Sequence, residues 1–157
     1  MTLLRVSLAI DMTEARILAA EHISDVALIE KLCFSEPWSE ESLGLLLRDG
    51  NFGVVCVNDG RAVAYGGMTC CLDEGAVTNI AVHPELRRKG LGRQIVRAML
   101  REAEKRGIKT VFLEVRESNS AARTLYASEG FLEIGRRKNF YRAPTEDAIA
   151  MAYYFEK

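Results

Sequence analysis

The chain has 157 residues, 48% of them hydrophobic and 27% charged, a balance that suits one globular domain with a well-filled core. Its 21 basic and 22 acidic residues leave a net charge of −1, which excludes a bulk attraction to nucleic acid or anionic lipid and makes any basic site local. The four cysteines, Cys33, Cys56, Cys70 and Cys71, include no Cys-x-x-Cys pair, and His22 and His83 are the two histidines; this argues against a metal site and for reduced thiols in a cytoplasmic protein.

The opening "MTLLRVSLAI" has an arginine in its middle and no small-residue cleavage site, so a signal peptide is not expected. No run is long enough to span a bilayer. Patterned sequence begins just after Met12, which makes Met12 a candidate second start and residues 1–11 an extension of a single domain covering 1–157.

"ARILAA" (15–20) reads as a short strand. "EHISDVALIEKLCF" (21–34) sets Ile23, Val26, Ala27, Ile29 and Leu32 along one helical side. In "SEPWSEESLGLLLRDG", Ser39 with Glu40 and Glu41 behind it makes a helix start, and Gly50 suits its end. "GVVCV", the turn "NDG" and "RAVAYGGMTCC" form a hairpin, and "GAVTNIAV" (75–82) is the next strand. Gly90 to Arg106 is a long helix with the stripe Leu91, Ile95, Val96, Met99, Leu100 and Ala103, closed by Gly107. "TVFLEVR" (110–116) is nearly continuous in apolar and β-branched residues, as expected of a strand covered on both faces. "NSAARTLYASEG" (119–130) is a helix capped by Asn119 and ended by Gly130. "FLEIGRR" and "DAIAMAYYF" supply the last strands. This mixture predicts an α/β (α+β) sheet with helices on both faces.

The segment "VHPELRRKGLGRQIV" places basic residues and two glycines directly before an amphipathic helix. The first turn of a helix carries unpaired N–H groups and the positive dipole end, so an anionic phosphate fits there. Gly90 and Gly92 allow close approach to the backbone, while Arg87, Arg88, Lys89 and Arg93 add charge. Taken alone, a Gly-x-Gly of this kind is better read as a solvated basic loop with glycines for the turn. Neither a Walker-type loop nor a dinucleotide fingerprint is present.

"NIAVHPELRRKGLGRQIV" resembles the coenzyme A motif of the GNAT superfamily of N-acetyltransferases, Gln/Arg-x-x-Gly-x-Gly/Ala, which Arg87, Gly90 and Gly92 match. "LEVRESNSAARTLYASEGF" is similar to the second family motif, a strand joined to a helix that ends in Tyr-x-x-x-Gly-Phe. Within the superfamily, "CFSEPWSEESL" and "RRKNFY…EDAIAMA" resemble segments of the bacterial RimI family of ribosomal-protein-alanine N-acetyltransferases. The resemblance runs from about Ala15 to about Tyr154. It implies a mixed, mostly antiparallel sheet of about seven strands flanked by helices, with acetyl-CoA as cosubstrate and no metal. The implied acceptor is the N-terminal alanine of the eighteenth small-subunit ribosomal protein. Ile80, Ala81 and Val82 would pair with the pantetheine arm. Arg88, Lys89, Gly90, Leu91, Gly92 and Arg93 would hold the pyrophosphate, and Asn119 would contact the coenzyme near its cysteamine end. Glu114 would be the general base and Tyr126 the general acid, while Trp38 and Tyr141 would shape the acceptor site. Residues 1–11 have no counterpart, and "RAPTE" between Tyr141 and Asp147 is shorter than the usual hairpin loop, which leaves peptide preference open.

Physical chemistry narrows these roles. A free carboxylate (pKa ~4.3) faces an α-ammonium of about 7.7–8.0, so direct proton transfer in water is uphill by roughly 5 kcal/mol. Desolvation of the base and a relaying water are both expected to close that gap. Near neutral pH roughly a fifth of an α-amine is uncharged, against fewer than about one in a thousand lysines, which suits a one-carboxylate site to an N-terminus. None of the cysteines falls in the matched catalytic motifs, so the amine is expected to attack directly in a ternary complex. The competing expectations are a broader protein N-terminal or lysine acetyltransferase and, outside enzymes, a CoA-binding regulatory module. A nucleic-acid binder using the basic turn lacks flanking aromatics and net positive charge.

Overall fold

The computed structural model describes residues 14–155; the expected extension 1–11 and Met12 lie outside them. Seven strands form one sheet: β1 (Ala15–Ile17), β2 (Phe52–Asn58), β3 (Arg61–Cys71), β4 (Glu74–Val82), β5 (Thr110–Arg116), β6 (Leu132–Tyr141) and β7 (Glu146–Tyr154). Their order is β1-β2-β3-β4-β5-β7-β6. Only β4 and β5 run parallel; the other pairs are antiparallel. The helices are α1 (Ile23–Cys33), α2 (Glu40–Leu43), α3 (Leu91–Lys105) and α4 (Ser120–Ser128).

Local chemistry accounts for most boundaries. The first strand stops at Ile17 rather than Ala20 because the chain turns there: Ala19 N–H donates to His22 Nδ1 at 2.9 Å and a 3-10 turn leads into α1. Ser39 Oγ accepts from Ser42 N–H at 3.1 Å, which caps α2 as expected. That helix continues as a 3-10 turn to Leu47, and Gly50 follows in a left-handed turn. Between β2 and β3, Asp59 and Gly60 both have positive φ (55° and 77°), the two-residue hairpin that matches strand twist.

Two apolar clusters fill the two faces of the sheet. On one face Ile95, Val96 and Met99 of α3 meet Phe52, Val54 and Met68, and Tyr126 of α4 joins the same cluster. On the other, Val26 and Ile29 of α1 and Leu43 of α2 pack on Val55, Tyr65 and Ala81. Helices therefore cover both faces, as predicted. Leu32 does not join them, being 48% exposed; Glu30 points inward instead and is fully buried. Counting i, i+3, i+4, i+7 from Ile23 leads to position 30, so helical geometry overrode the polarity of the side chain.

The strand β5 is also corrected. Val111, Leu113 and Val115 are buried, whereas Phe112, Glu114 and Arg116 are only half-buried. Helix α4 covers one face of this half of the sheet, while α1 and α2 sit over β2–β4, so β5 alternates like a half-covered strand.

The feature that positions the site is a split in the sheet. Strands β4 and β5 pair only from Glu74–Thr110 to Ala76–Phe112. On its other side β4 continues against β3 as far as Val82, with a register shift between Gly66 and Met68 that places an extra residue in β4. Such a bulge bends a strand. From Val77 onward the edge of β4 that faces β5 has no strand partner.

Candidate active site

The split opens a cleft of about 690 Å³. Trp38, Ile80, Glu114, Asn119, Tyr126 and Tyr141 all line it, so six of the residues singled out from sequence converge on one cavity. They come from the loop after α1, from β4, β5 and α4, and from the end of β6.

The basic turn lies outside this cleft, beyond the C-terminal end of β4. His83 caps a short 3-10 turn over Pro84–Leu86 through Nδ1, which accepts from Glu85 N–H at 3.2 Å. Arg88 and Gly90 then both have positive φ (67° and 82°), and that reversal delivers the chain into α3. Gly90 supplies no side-chain cap. The first helical bond is Gln94 N–H to Gly90 O at 3.1 Å, and the N–H groups of Gly90, Leu91, Gly92 and Arg93 donate to no described residue. Arg88 and Lys89 have no carboxylate partner among the described residues. Leu91 itself is core, 1% exposed, so only its backbone faces a ligand. Arg93 differs from expectation in its side chain: the guanidinium pairs with Glu129 and donates to Ser128 Oγ at 3.0 Å, tying α3 to α4. Arg97 reaches the same Glu129 at 2.9 Å, and these two arginines hold its carboxyl below the usual range. Bare amides, unpaired cations and an open strand edge together fit a long, phosphate-bearing ligand.

Within the cleft the two catalytic candidates have opposite surroundings. Glu114 keeps 30% of its side chain exposed and pairs with Arg137 of β6 at 3.0 Å; Arg137 also stacks over Phe140. Glu114 is thus partly open to the cleft, where a water can reach its carboxylate. Tyr126 is 8% exposed, with its ring 5.8 Å from that of Phe131. Its hydroxyl makes no hydrogen bond to a described residue, and burial pushes the phenol well above its ordinary value. It is thus a protonated donor waiting on the cleft. Tyr141 is pushed up to about 12 by burial and by Glu114, while Arg116 lies 4.5 Å over its ring. Asn119 Oδ1 caps α4 by accepting from Ala122 N–H at 3.2 Å, which leaves its amide NH₂ for the cleft.

Ala81 is buried against α1. Val82 O accepts from the Cys33 thiol at 3.4 Å, and Arg87 reaches that sulfur at 3.2 Å. Burial raises the Cys33 pKa. Cys33, Asn79, Arg116 and Phe140 also line the cleft and were missed from sequence. All four lie in the segments that carry the family resemblance, but nothing in the local pattern assigns them to the site, because tertiary packing brings them to the split. No group of three or more His, Cys, Asp or Glu suited to a metal ion occurs among the described residues. No described helix is long and apolar enough to cross a membrane.

A mixed sheet split beside an uncapped helix terminus, with Glu114 and Tyr126 on one cleft, is an arrangement that can hold a long anionic cosubstrate next to a carboxylate and a hydroxyl donor. A family model described as the acetyltransferase (GNAT) family matches residues 23–131. The [ribosomal protein bS18]-alanine N-acetyltransferase of Escherichia coli (strain K12) is 41% identical over 128 residues, covering 79% of this chain and 85% of that protein. The enzyme of the same name from Salmonella typhimurium is 42% identical over 133 residues, with the same coverage. The crystal structure of the ribosomal-protein-S18-alanine N-acetyltransferase from Escherichia coli superposes with a TM-score of 0.87 at 35% identity, covering 93% of this chain and 96% of that one. The chain belongs to the GNAT family and is an N-acetyltransferase.

Proposed function

We propose that this enzyme acetylates the α-amine of a protein N-terminus, specifically the N-terminal alanine of ribosomal protein bS18, using acetyl-CoA. The observation that carries the reading is the placement of Glu114 and Tyr126 on one cleft beside the open edge of β4. The specific acceptor rests on the names of the relatives above. A ribosomal acceptor makes the cytoplasm the compartment of the reaction.

Acetyl-CoA supplies an activated acetyl group as a thioester. The amides of Gly90–Arg93 with Arg88 and Lys89 bind its diphosphate, and the free edge of β4 at Ile80–Val82 aligns its arm. Asn119 offers its amide NH₂ to the cysteamine end. A backbone N–H near Val82 stabilises the charge that develops on the carbonyl oxygen, a donor typically worth about 2.7–4 kcal/mol. Glu114 takes the proton of the incoming ammonium through water, and Tyr126 donates to the sulfur as it departs. Trp38 and Tyr141 wall the acceptor side. Among the thiols, only Cys33 lines the cleft, and its raised pKa disfavours the thiolate, so the amine attacks directly. A covalent acetyl-cysteine trapped during turnover would overturn that step.

The test is release of free thiol against peptides that differ at the first residue. An alanine-initiated bS18 peptide should turn over fastest. A peptide with a blocked N-terminus and an internal lysine should give no release above background, and equal rates for the two would refute the α-amine assignment.

A further inference from the structure

Glu30 is the one acidic side chain among the described residues that is fully buried, and the chemistry above does not use it. It has no cationic partner there. Three neutral donors converge on it instead: Trp38 N–H at 2.8 Å on one oxygen, and Asn79 Nδ2 at 2.9 Å together with the Tyr65 hydroxyl on the other. These donors come from the loop after α1, from β3, and from the bulged part of β4. Trp38 and Asn79 both line the cleft, whereas Glu30 and Tyr65 stand behind it.

The orientation of Asn79 follows from donor chemistry. A carboxylate only accepts, so the amide nitrogen must face Glu30 and the amide oxygen must turn the other way. That oxygen has no hydrogen-bond donor among the described residues, yet it is not sealed in the core, since Asn79 borders the cleft. An acceptor oxygen held in place beside Ile80, on the strand edge where the donor's acyl group must lie, suits an incoming N–H.

We propose that Glu30 is a positioning residue for the acceptor amine: it aims the Asn79 amide oxygen into the cleft and anchors the Trp38 loop that lines the cleft beside it. The inference rests on the acetyl-transfer reading above and adds a second hydrogen-bond acceptor for the substrate ammonium, distinct from Glu114. Replacement of the Glu30 carboxyl by an amide, which both donates and accepts, frees the Asn79 amide to flip, which would present NH₂ to a cationic substrate.

The test measures thiol release with the alanine-initiated peptide for wild type, Glu30→Gln, Asn79→Ala and the double variant, alongside Tm. Loss of a hydrogen bond to a charged substrate predicts a peptide KM raised about tenfold or more in each single variant. The KM for acetyl-CoA should stay within about twofold, because the diphosphate turn is untouched. The double variant should be no worse than the poorer single variant, since both act through one oxygen. The inference is overturned if the two KM values and Tm shift together, if the effects add, or if Asn79→Ala leaves the peptide KM unchanged. Should Glu30→Gln fail to fold, Asn79→Ala alone decides, because it leaves Glu30 two of its three donors. A wild-type enzyme that releases no thiol with any amine refutes the acetyl-transfer reading and this inference with it; normal wild-type turnover with unaffected variants refutes only the inference.

Discussion

Substitution of Tyr126 by Phe isolates one atom of the proposed chemistry. The hydroxyl has no protein partner among the described residues, and the ring packs against Phe131 within the core. Its loss therefore leaves no orphaned donor or acceptor and almost no cavity, so stability should change by no more than about 0.5 kcal/mol. For a domain of this size that shifts Tm by about 1–2 °C. The chemical step loses its proton donor, which general acid catalysis values at about 10²–10⁴ in rate. The expected result is a kcat lowered at least about a hundredfold with acetyl-CoA KM nearly unchanged. Stopped-flow thiol release at saturating peptide, combined with a thermal melt, measures both. A kcat within about threefold of wild type would remove Tyr126 from the mechanism, whatever its position on the cleft.

Glu114→Gln should lower kcat by about a hundredfold or more at neutral pH, and should recover part of the loss at alkaline pH, where the amine deprotonates by itself; a pH-independent deficit would refute the base role. A β-carbon at Gly92 would stand 3.3 Å from Leu125 Cδ2, so Gly92→Val crowds the bare helix terminus and should raise acetyl-CoA KM by about tenfold or more while peptide KM holds; calorimetric titration with CoA checks this directly. Gly66 brings β3 against α3, and an added β-carbon would lie 2.7 Å from Ile95 Cγ2, so Gly66→Ala should cost about 1–3 kcal/mol of stability, read by urea denaturation. The carboxyls of Glu117, Glu129, Glu146 and Asp147 are held below their ordinary range, Glu117 and Glu129 chiefly by arginine partners, Glu146 and Asp147 chiefly by hydrogen bonds to Ser118 and Asn139. Depressed carboxyls give stability that is present above their unfolded values and lost as pH falls through the folded ones. Circular dichroism should thus show a stability plateau near neutrality and a decline below about pH 4, weakened by added salt.

The order of strands and helices, the caps at Ser39 and Asn119, the Asp59–Gly60 turn and the uncapped terminus at Gly90 were legible in the chain, because each depends on residues within four positions of one another. The resemblance to the two family motifs singled out Glu114, Tyr126 and the basic turn as candidates, and the fold brings the first two to one cleft. Leu32 and Glu30 show where that reading stops: which side of α1 faces inward is set by a sheet that residues 61–82 build far along the chain, and burial of a carboxylate needs donors from Tyr65 and Asn79 that no local pattern reveals. The half-exposed state of Glu114 and its pairing with Arg137 depend on β6 lying beyond β7, a register fixed by long-range pairing. The commitment of Arg93 to Glu129 depends on how α3 meets α4. Local chemistry determined the elements and their ends, since propensity, capping and turn conformation act over a few residues. Tertiary structure alone decided which side chains meet at the split between β4 and β5, because that gap exists only once seven strands have paired and bent.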